Sequence, residues 1–350
     1  MNEKEPGELV TSSRPGEFLQ YGGQAVIEGV MMRSPRFFAV ACRKPNGEIV
    51  VRREPVDKGI LGKLQWLNRP LLRGTLALVD AMALGARALA YASNVQLSAE
   101  QEKNAADAAE KGDPVKAGSR INDIAIGGTL VTGLAFGLCV FVLLPTAITG
   151  LLVYLHLLPA AGAHSGMWLN LIDGLIRMVI FFGYIGLISA MPQIREVFKY
   201  HGAEHKAINT LEAGLPLTSA SAAGSSRIHP RCGTSFIFIV LVINLIVFAV
   251  LPRPANFIYR FGLHLAVIPL VAGIAYEVIK FAGKYRGNPL VMAVFAPGMW
   301  TQYLTTREPE ERHLDVALAS LIDVLQAEGH MPEGSEIGAI DPVEPAAAIA

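Results

Sequence analysis

The chain has 350 residues, 52% of them hydrophobic and only 17% charged, with a mean hydropathy of +0.39; soluble domains usually carry about 25% charged residues, so an ordinary soluble multidomain protein is excluded. Its 30 Lys plus Arg balance 30 Asp plus Glu, which removes the basic surplus a nucleic-acid binder needs. Three widely spaced cysteines, Cys42, Cys139 and Cys232, exclude a disulfide framework and fit a reducing compartment.

Residues 1–19 are rich in Glu, Ser and Pro without an apolar stretch. They are expected to be disordered and to hold no cleaved secretory signal. Residues 20–97 are expected to form a β-hairpin followed by an interfacial helix. The hairpin covers residues 37–54: Phe37, Phe38, Val40 and Cys42 lead into a Pro45-Asn46-Gly47 turn, and Ile49, Val50 and Val51 leave it. Asn-Gly is a strong hairpin signal. The helix covers residues 71–97, with Leu72, Leu76, Val79, Ala83 and Ala86 on one face. Because it also carries Arg73, Asp80 and Arg87, it is expected to lie on the membrane, with a re-entrant course as the alternative. Residues 98–120, polar and Ala-rich, read as a linker.

Residues 121–307 read as the membrane domain. Four windows approach the ~20 apolar residues that a crossing needs: 124–144, with a kink expected at Pro145, then 167–191, 236–251 and 261–281. Lysines and arginines divide unequally between their flanks. One side holds Lys103, Lys111, Lys116, Arg120, Arg195, Lys199, Lys206, Arg227, Arg231, Lys280, Lys284 and Arg286; the other holds Arg253 and Arg260. The excess marks the cytoplasmic side, so both termini and the 192–234 loop are expected there. Residues 290–304 are expected to dip into the interface. Residues 308–328 read as an amphipathic helix striped by Leu314, Ala317, Leu318, Leu321 and Leu325, and residues 329–350 as a disordered tail. The expected class is therefore mainly α: a polytopic helical membrane protein with an N-terminal β-hairpin and interfacial helices.

The most specific chemical signal is His201-Gly-Ala-Glu204-His205, an H-x-x-E-H pattern. On a helix, positions i and i+4 share a face, so His201 and His205 can hold one ion while Glu204 acts as general base. Pro192 and Gly214 suit the ends of that helix, and the pentad falls on its apolar face. The plainer alternative is a pair of core histidines bonded to carbonyls. Three residues are candidates to complete a metal shell. His229 and Cys232 stand three apart in His229-Pro-Arg-Cys232-Gly, and Glu277 lies near the cytoplasmic end of the fourth window, where an ionisable residue is a functional candidate. Asp173 and Arg177, at i and i+4, read as an intrahelical pair. His156, His164 and His264 fall toward the far side of the membrane. Glu28, among glycines in Gly23-Gln24-Ala25-Val26-Ile27-Glu28-Gly29, marks a tight loop that is not a phosphate-binding loop.

Several stretches, Gly22 to Arg33, Tyr200 to Lys206, His229 to Phe236 and Phe295 to Thr306, resemble the YqhQ-like bacterial membrane proteins, a family of unknown function, over about residues 20–327. The resemblance implies a metal-dependent enzyme of the bacterial inner membrane with no assigned substrate. Three functions are compatible with these residues. The first is a metal-dependent hydrolase, with zinc as the favoured divalent ion and a membrane peptide or lipid-linked ester as substrate. The second is a scaffold stapled by a structural metal or a histidine network. The third, an ion transporter, finds little support because repeats and mid-span charges are missing. Beyond the bilayer and such a substrate no partner is implied, and the oligomeric state stays open.

Overall fold

The computed structural model describes residues 21–56, 69, 71–111, 123–158, 165–253, 256–285 and 288–330. The expected N-terminal disorder lies outside them, as does nearly all of the expected disordered tail. The chain opens with a four-stranded antiparallel meander: β1 Gly22–Val26, β2 Gly29–Arg33, β3 Phe37–Arg43 and β4 Ile49–Pro55. The expected hairpin is its second half, and a first hairpin precedes it. Glu28 turns that first hairpin with φ 48°, a left-handed conformation that costs a non-glycine residue roughly 1–2 kcal/mol. It is held there by the Arg43 N–H donating to the Glu28 carbonyl at 2.8 Å and by the Tyr200 hydroxyl donating to Glu28 Oε2 at 3.1 Å.

Helix α1, Leu72–Lys111, runs without a break through residues 98–111. The expected linker is therefore corrected over that stretch, and residues 112–120 lie outside the described chain. The reason is propensity: Ala, Glu, Gln and Lys, which dominate it, are strong helix formers even where no apolar stripe exists. Next come α2 Asp123–Leu138, a π-helical turn Cys139–Leu143 and α3 Leu144–Tyr154, one continuous rod. The π turn stands where Pro145 cannot donate its ladder hydrogen bond, so the distortion expected as a kink is absorbed as a widened turn. Helices α4 Ser165–Ile188, α5 Pro192–Glu212, α6 Ser219–Gly224, α7 Gly233–Val250, α8 Phe257–Lys284, α9 Pro289–Trp300, α10 Gln302–Thr305 and α11 Glu311–Glu328 complete the chain.

Among the described residues, five helical stretches are long and apolar enough to cross a membrane: Arg73–Gln101, Val131–Tyr154, Gly166–Ile188, Gly233–Val250 and Ile258–Ala282. The last four correspond to the expected spans, the first of them displaced toward the C-terminus because apolar residues continue past Pro145. The additional one belongs to α1. Their outward faces are apolar, with Val131, Leu134, Val179, Leu187, Val250 and Ile258 exposed; in a lipid solvent such exposure is the stable arrangement.

The sheet is covered on both faces. Val30, Met32, Ala39, Ala41 and Val51 pack with Tyr200, Ala203, Ala207 and Ile208 of α5 and with Leu314, Leu318, Leu321 and Leu325 of α11. Val26, Met31, Phe38, Val40 and Cys42 pack with Leu84, Ala88 and Ala92 of α1. The amphipathic stripe expected at 308–328 is thus a core face rather than a membrane-facing one. Gly329 ends α11 in the left-handed conformation, and His330 Nδ1 meets the Tyr21 hydroxyl at 2.6 Å, so the ordered chain extends two residues into the expected tail. The start of α1 packs on the middle and lower part of α8. A side chain at Gly74 would meet Tyr276 at 2.6 Å, and Thr75 donates to the Pro269 carbonyl at 3.0 Å.

Candidate metal centre

Helix α5 carries the pentad, and two later segments converge on it. The loop after α6 delivers Arg227, His229 and the start of α7; the short helix α10 delivers Gln302 and Thr305. Gly202 permits this approach, because a Cβ there would lie 2.2 Å from the Arg307 carbonyl oxygen. The Arg307 N–H donates to the Phe198 carbonyl at 2.8 Å, which pins the returning chain to α5. Gln302 is fully buried and does the same for the other segment. It accepts from the His229 N–H at 2.8 Å and donates to the His229 carbonyl and to Ser235 Oγ, each at 2.8 Å.

The two imidazoles stand one turn apart, with ring centroids 4.4 Å from each other. His201 Nδ1 donates to the Thr305 carbonyl at 2.8 Å, and its Nε2 lies 3.2 Å from Cys232 Sγ. His205 Nδ1 donates to the Arg227 carbonyl at 2.6 Å. A carbonyl can only accept, so both rings carry their proton on Nδ1 when neutral, and Nε2 keeps its lone pair. Cys232 is the N-cap of α7 and its sulfur accepts from the Thr234 N–H at 3.4 Å. One donor atom from each of His201, His205 and Cys232 lies within 4.8 Å of the other two. Such a set suits zinc, whose ligand histidines usually donate the second ring nitrogen to a carbonyl or carboxylate. Burial holds the His205 imidazole below its ordinary pKa, against the opposing bond to Cys232, and this favours the neutral form that ligates metal.

The other expected site residues are placed differently. Glu204 is buried against β1, where a Cβ on Gly23 would come within 3.0 Å of its Cγ. Burial pushes its carboxyl above the ordinary range, while His201, His229 and the Gly23 N–H pull the other way. His229 is buried with its ring centroid 5.9 Å from that of His205, and its Nε2 faces Glu212 at 3.5 Å. It borders the cluster without joining it. Glu277 is not brought there: Arg73 holds both of its oxygens across the α1–α8 contact, one at 2.6 Å. Cys42 offers no second thiol site, since it is fully buried in the sheet and its pKa is pushed up to about 12, chiefly by burial. Asp173 and Arg177 form the expected pair, 2.9 Å apart. His264 stacks on Phe248, far along α7 from Cys232, and His164 lies outside the described residues.

Apolar helices of membrane-crossing length, with a histidine–cysteine cluster where their connecting segments meet, describe a multi-pass membrane protein. The chain belongs to the family described as "Protein of unknown function (DUF1385)", whose model matches residues 69–327. It is 33% identical over 313 residues to "Uncharacterized protein YqhQ" of Bacillus subtilis (strain 168), covering 88% of this chain and 93% of that relative. No solved structure gives a significant match.

Proposed function

We propose that this chain is a zinc-dependent hydrolase of the bacterial inner membrane, with its site on the cytoplasmic face and both termini in the cytoplasm. The carrying observation is the convergence of His201, His205 and Cys232, with both Nδ1 atoms already committed to carbonyls. Three protein donors leave a fourth position open, which is the pattern of catalytic rather than closed structural sites. When bound, zinc supplies Lewis acidity, polarising a carbonyl and making water acidic near neutral pH. Glu204 serves as general base. Burial raises the pKa of its carboxyl, which favours its accepting a proton, and its side chain is packed against β1. His229 and Glu212 border the ligands, with His229 Nε2 3.5 Å from Glu212. Glu277 has no ligand role in this reading, because Arg73 occupies it. The substrate is a membrane peptide or a lipid-linked ester reaching the site from the cytoplasm or the bilayer.

A second reading, a metal-stapled scaffold, is favoured by one observation. His205 is 2% and Cys232 8% exposed, and the partners of His201, His205 and Cys232 tie α5, α7 and the segments at Arg227 and Thr305 together. The two readings part at Glu204. In the hydrolase, Glu204→Gln keeps its zinc, measured by plasma mass spectrometry, and fails to complement a deletion strain. In the scaffold, the same variant keeps both zinc and complementation. For either reading, His201→Ala/His205→Ala purified in detergent is expected to hold no stoichiometric zinc; a double variant that retains it overturns both.

A further inference from the structure

The last apolar helix, α9, has no part in the reading above, yet it leads straight into the metal centre. Residues 289–304 contain no charged side chain. Helix Pro289–Trp300 has 12 residues. Its length is about 18 Å, too short for the ~30 Å of a hydrocarbon core. Its ends also lie on one side of the membrane. Two spans, α7 and α8, separate α5 from α9, and α11, which follows α9, shares a core with α5. The helix therefore starts and finishes on the side where α5 lies.

One face of α9 is engaged by the protein and the other is bare. Gly298 seats the helix on α7: a Cβ there would lie 3.3 Å from Phe238 Cδ1, and Ser235 Oγ donates to the Gly298 carbonyl at 3.1 Å. The opposite face carries Leu290, Ala293, Val294, Pro297 and Trp300, all exposed, Leu290 and Val294 each at 77%. Tyr303 and Leu304 continue it. Aliphatic side chains that end in Trp and Tyr suit a segment set at the membrane–water boundary.

What lies behind this face gives it a second role. The carbonyls that aim the ligand rings belong to Thr305 and Arg227, and both residues are tied to Tyr303. Thr305 shares the short helix α10 with it. The Arg227 guanidinium lies over the Tyr303 ring, 5.6 Å from its centre, and donates to the Thr306 carbonyl at 3.2 Å. A shift of Tyr303 thus reaches His201 along the chain and His205 through Arg227.

We propose that α9 and Tyr303 dock into the acyl chains of the adjacent leaflet without crossing it, and that this docking holds the metal centre in its binding geometry. The docking is argued from α9 alone; its effect on metal rests on the metal reading above. Lipid is the occupant because the face has no charge for a polar partner to recognise and continues the apolar surface of the neighbouring spans, where Val179 and Leu187 are exposed in the same way. A second copy of the chain is the competing occupant.

The test uses the full chain in nanodiscs of phosphatidylcholine and phosphatidylglycerol. The parent for all variants is Trp66→Phe/Trp168→Phe, which leaves Trp300 as the sole tryptophan. Phosphatidylcholine brominated along its acyl chains is expected to quench Trp300 fluorescence relative to the unbrominated lipid. Unchanged emission places the face in water or against a second copy and overturns the docking. Zinc affinity, measured by chelator competition in the same nanodiscs, tests the coupling. Tyr303→Leu keeps the surface apolar but removes the ring beneath Arg227. It is expected to retain the quenching and to bind zinc about tenfold more weakly. Leu290→Ser/Val294→Ser should reduce both. Ile258→Ser, at a position 79% exposed near the other end of α8, should alter neither. The coupling is overturned if either α9-side variant binds zinc like the parent, or if Ile258→Ser weakens it as much. Should the serine pair not fold, Tyr303→Leu decides alone. A parent that binds no zinc overturns the metal reading and the coupling with it, while the quenching still decides the docking.

Discussion

At Asp323 two effects oppose each other. Partial burial on α11 raises its carboxyl pKa, and Arg53, 3.7 Å away, draws it down without cancelling the rise. A carboxyl whose folded pKa lies above its unfolded one stabilises the fold when protonated. That contribution is complete below the unfolded value and is lost as pH rises through the folded one. Asp323→Asn is therefore expected to raise the unfolding midpoint at pH 8, by a few degrees at most because the side chain remains a quarter exposed and screened. The difference should vanish in strongly acidic solution, and calorimetry across pH checks it. At this scale the sequence reveals donors better than partners. His201, His205 and Cys232 were legible because residue type and spacing carry their chemistry. The Thr305 and Arg227 carbonyls that aim the rings were not, because every residue has a carbonyl. The engagement of Glu277 was not legible for the same kind of reason, its partner Arg73 lying 204 residues away in the chain.

Among the elements, α5 shows how a helix can be specified by what must approach it. Gly202 costs the helix roughly 1 kcal/mol of propensity relative to alanine, yet no larger residue fits against the Arg307 carbonyl. Gly202→Ala is expected to push that segment away and loosen the Thr305 carbonyl from His201. Zinc affinity, measured by chelator competition, should fall by about 10–100-fold, the usual effect of disturbing a ligand's supporting bond. Unchanged affinity would detach the returning chain from the site. The second hairpin was readable from Asn46-Gly47. The first was not, because Gly29–Arg33 is buried on both faces except at its end and so lacks the alternation that marks a half-buried strand. The far half of α1 looked like a linker because its polar surface hides helix formers without a stripe.

On the scale of the molecule, the sheet is the hub. Strands that precede every span share one hydrophobic core with α5, which follows α4, and with α11, which follows α8. A core cannot straddle a bilayer, so the sheet, α5 and α11 occupy the same side of it. This imposes a parity rule. Between the sheet and α5 the chain must cross an even number of times, and the α2–α3 rod and α4 already make two. Helix α1 is apolar and long enough to cross, but a crossing there would make the number odd and tear the core apart. The shared core therefore requires that α1 make no net crossing. In a Cys139→Ser background, cysteines placed at Asn46, in the exposed turn between β3 and β4, and at Glu100 are then expected to react with an impermeant thiol reagent from one and the same face. Opposite reactivity would mean that the sheet and α5 never meet.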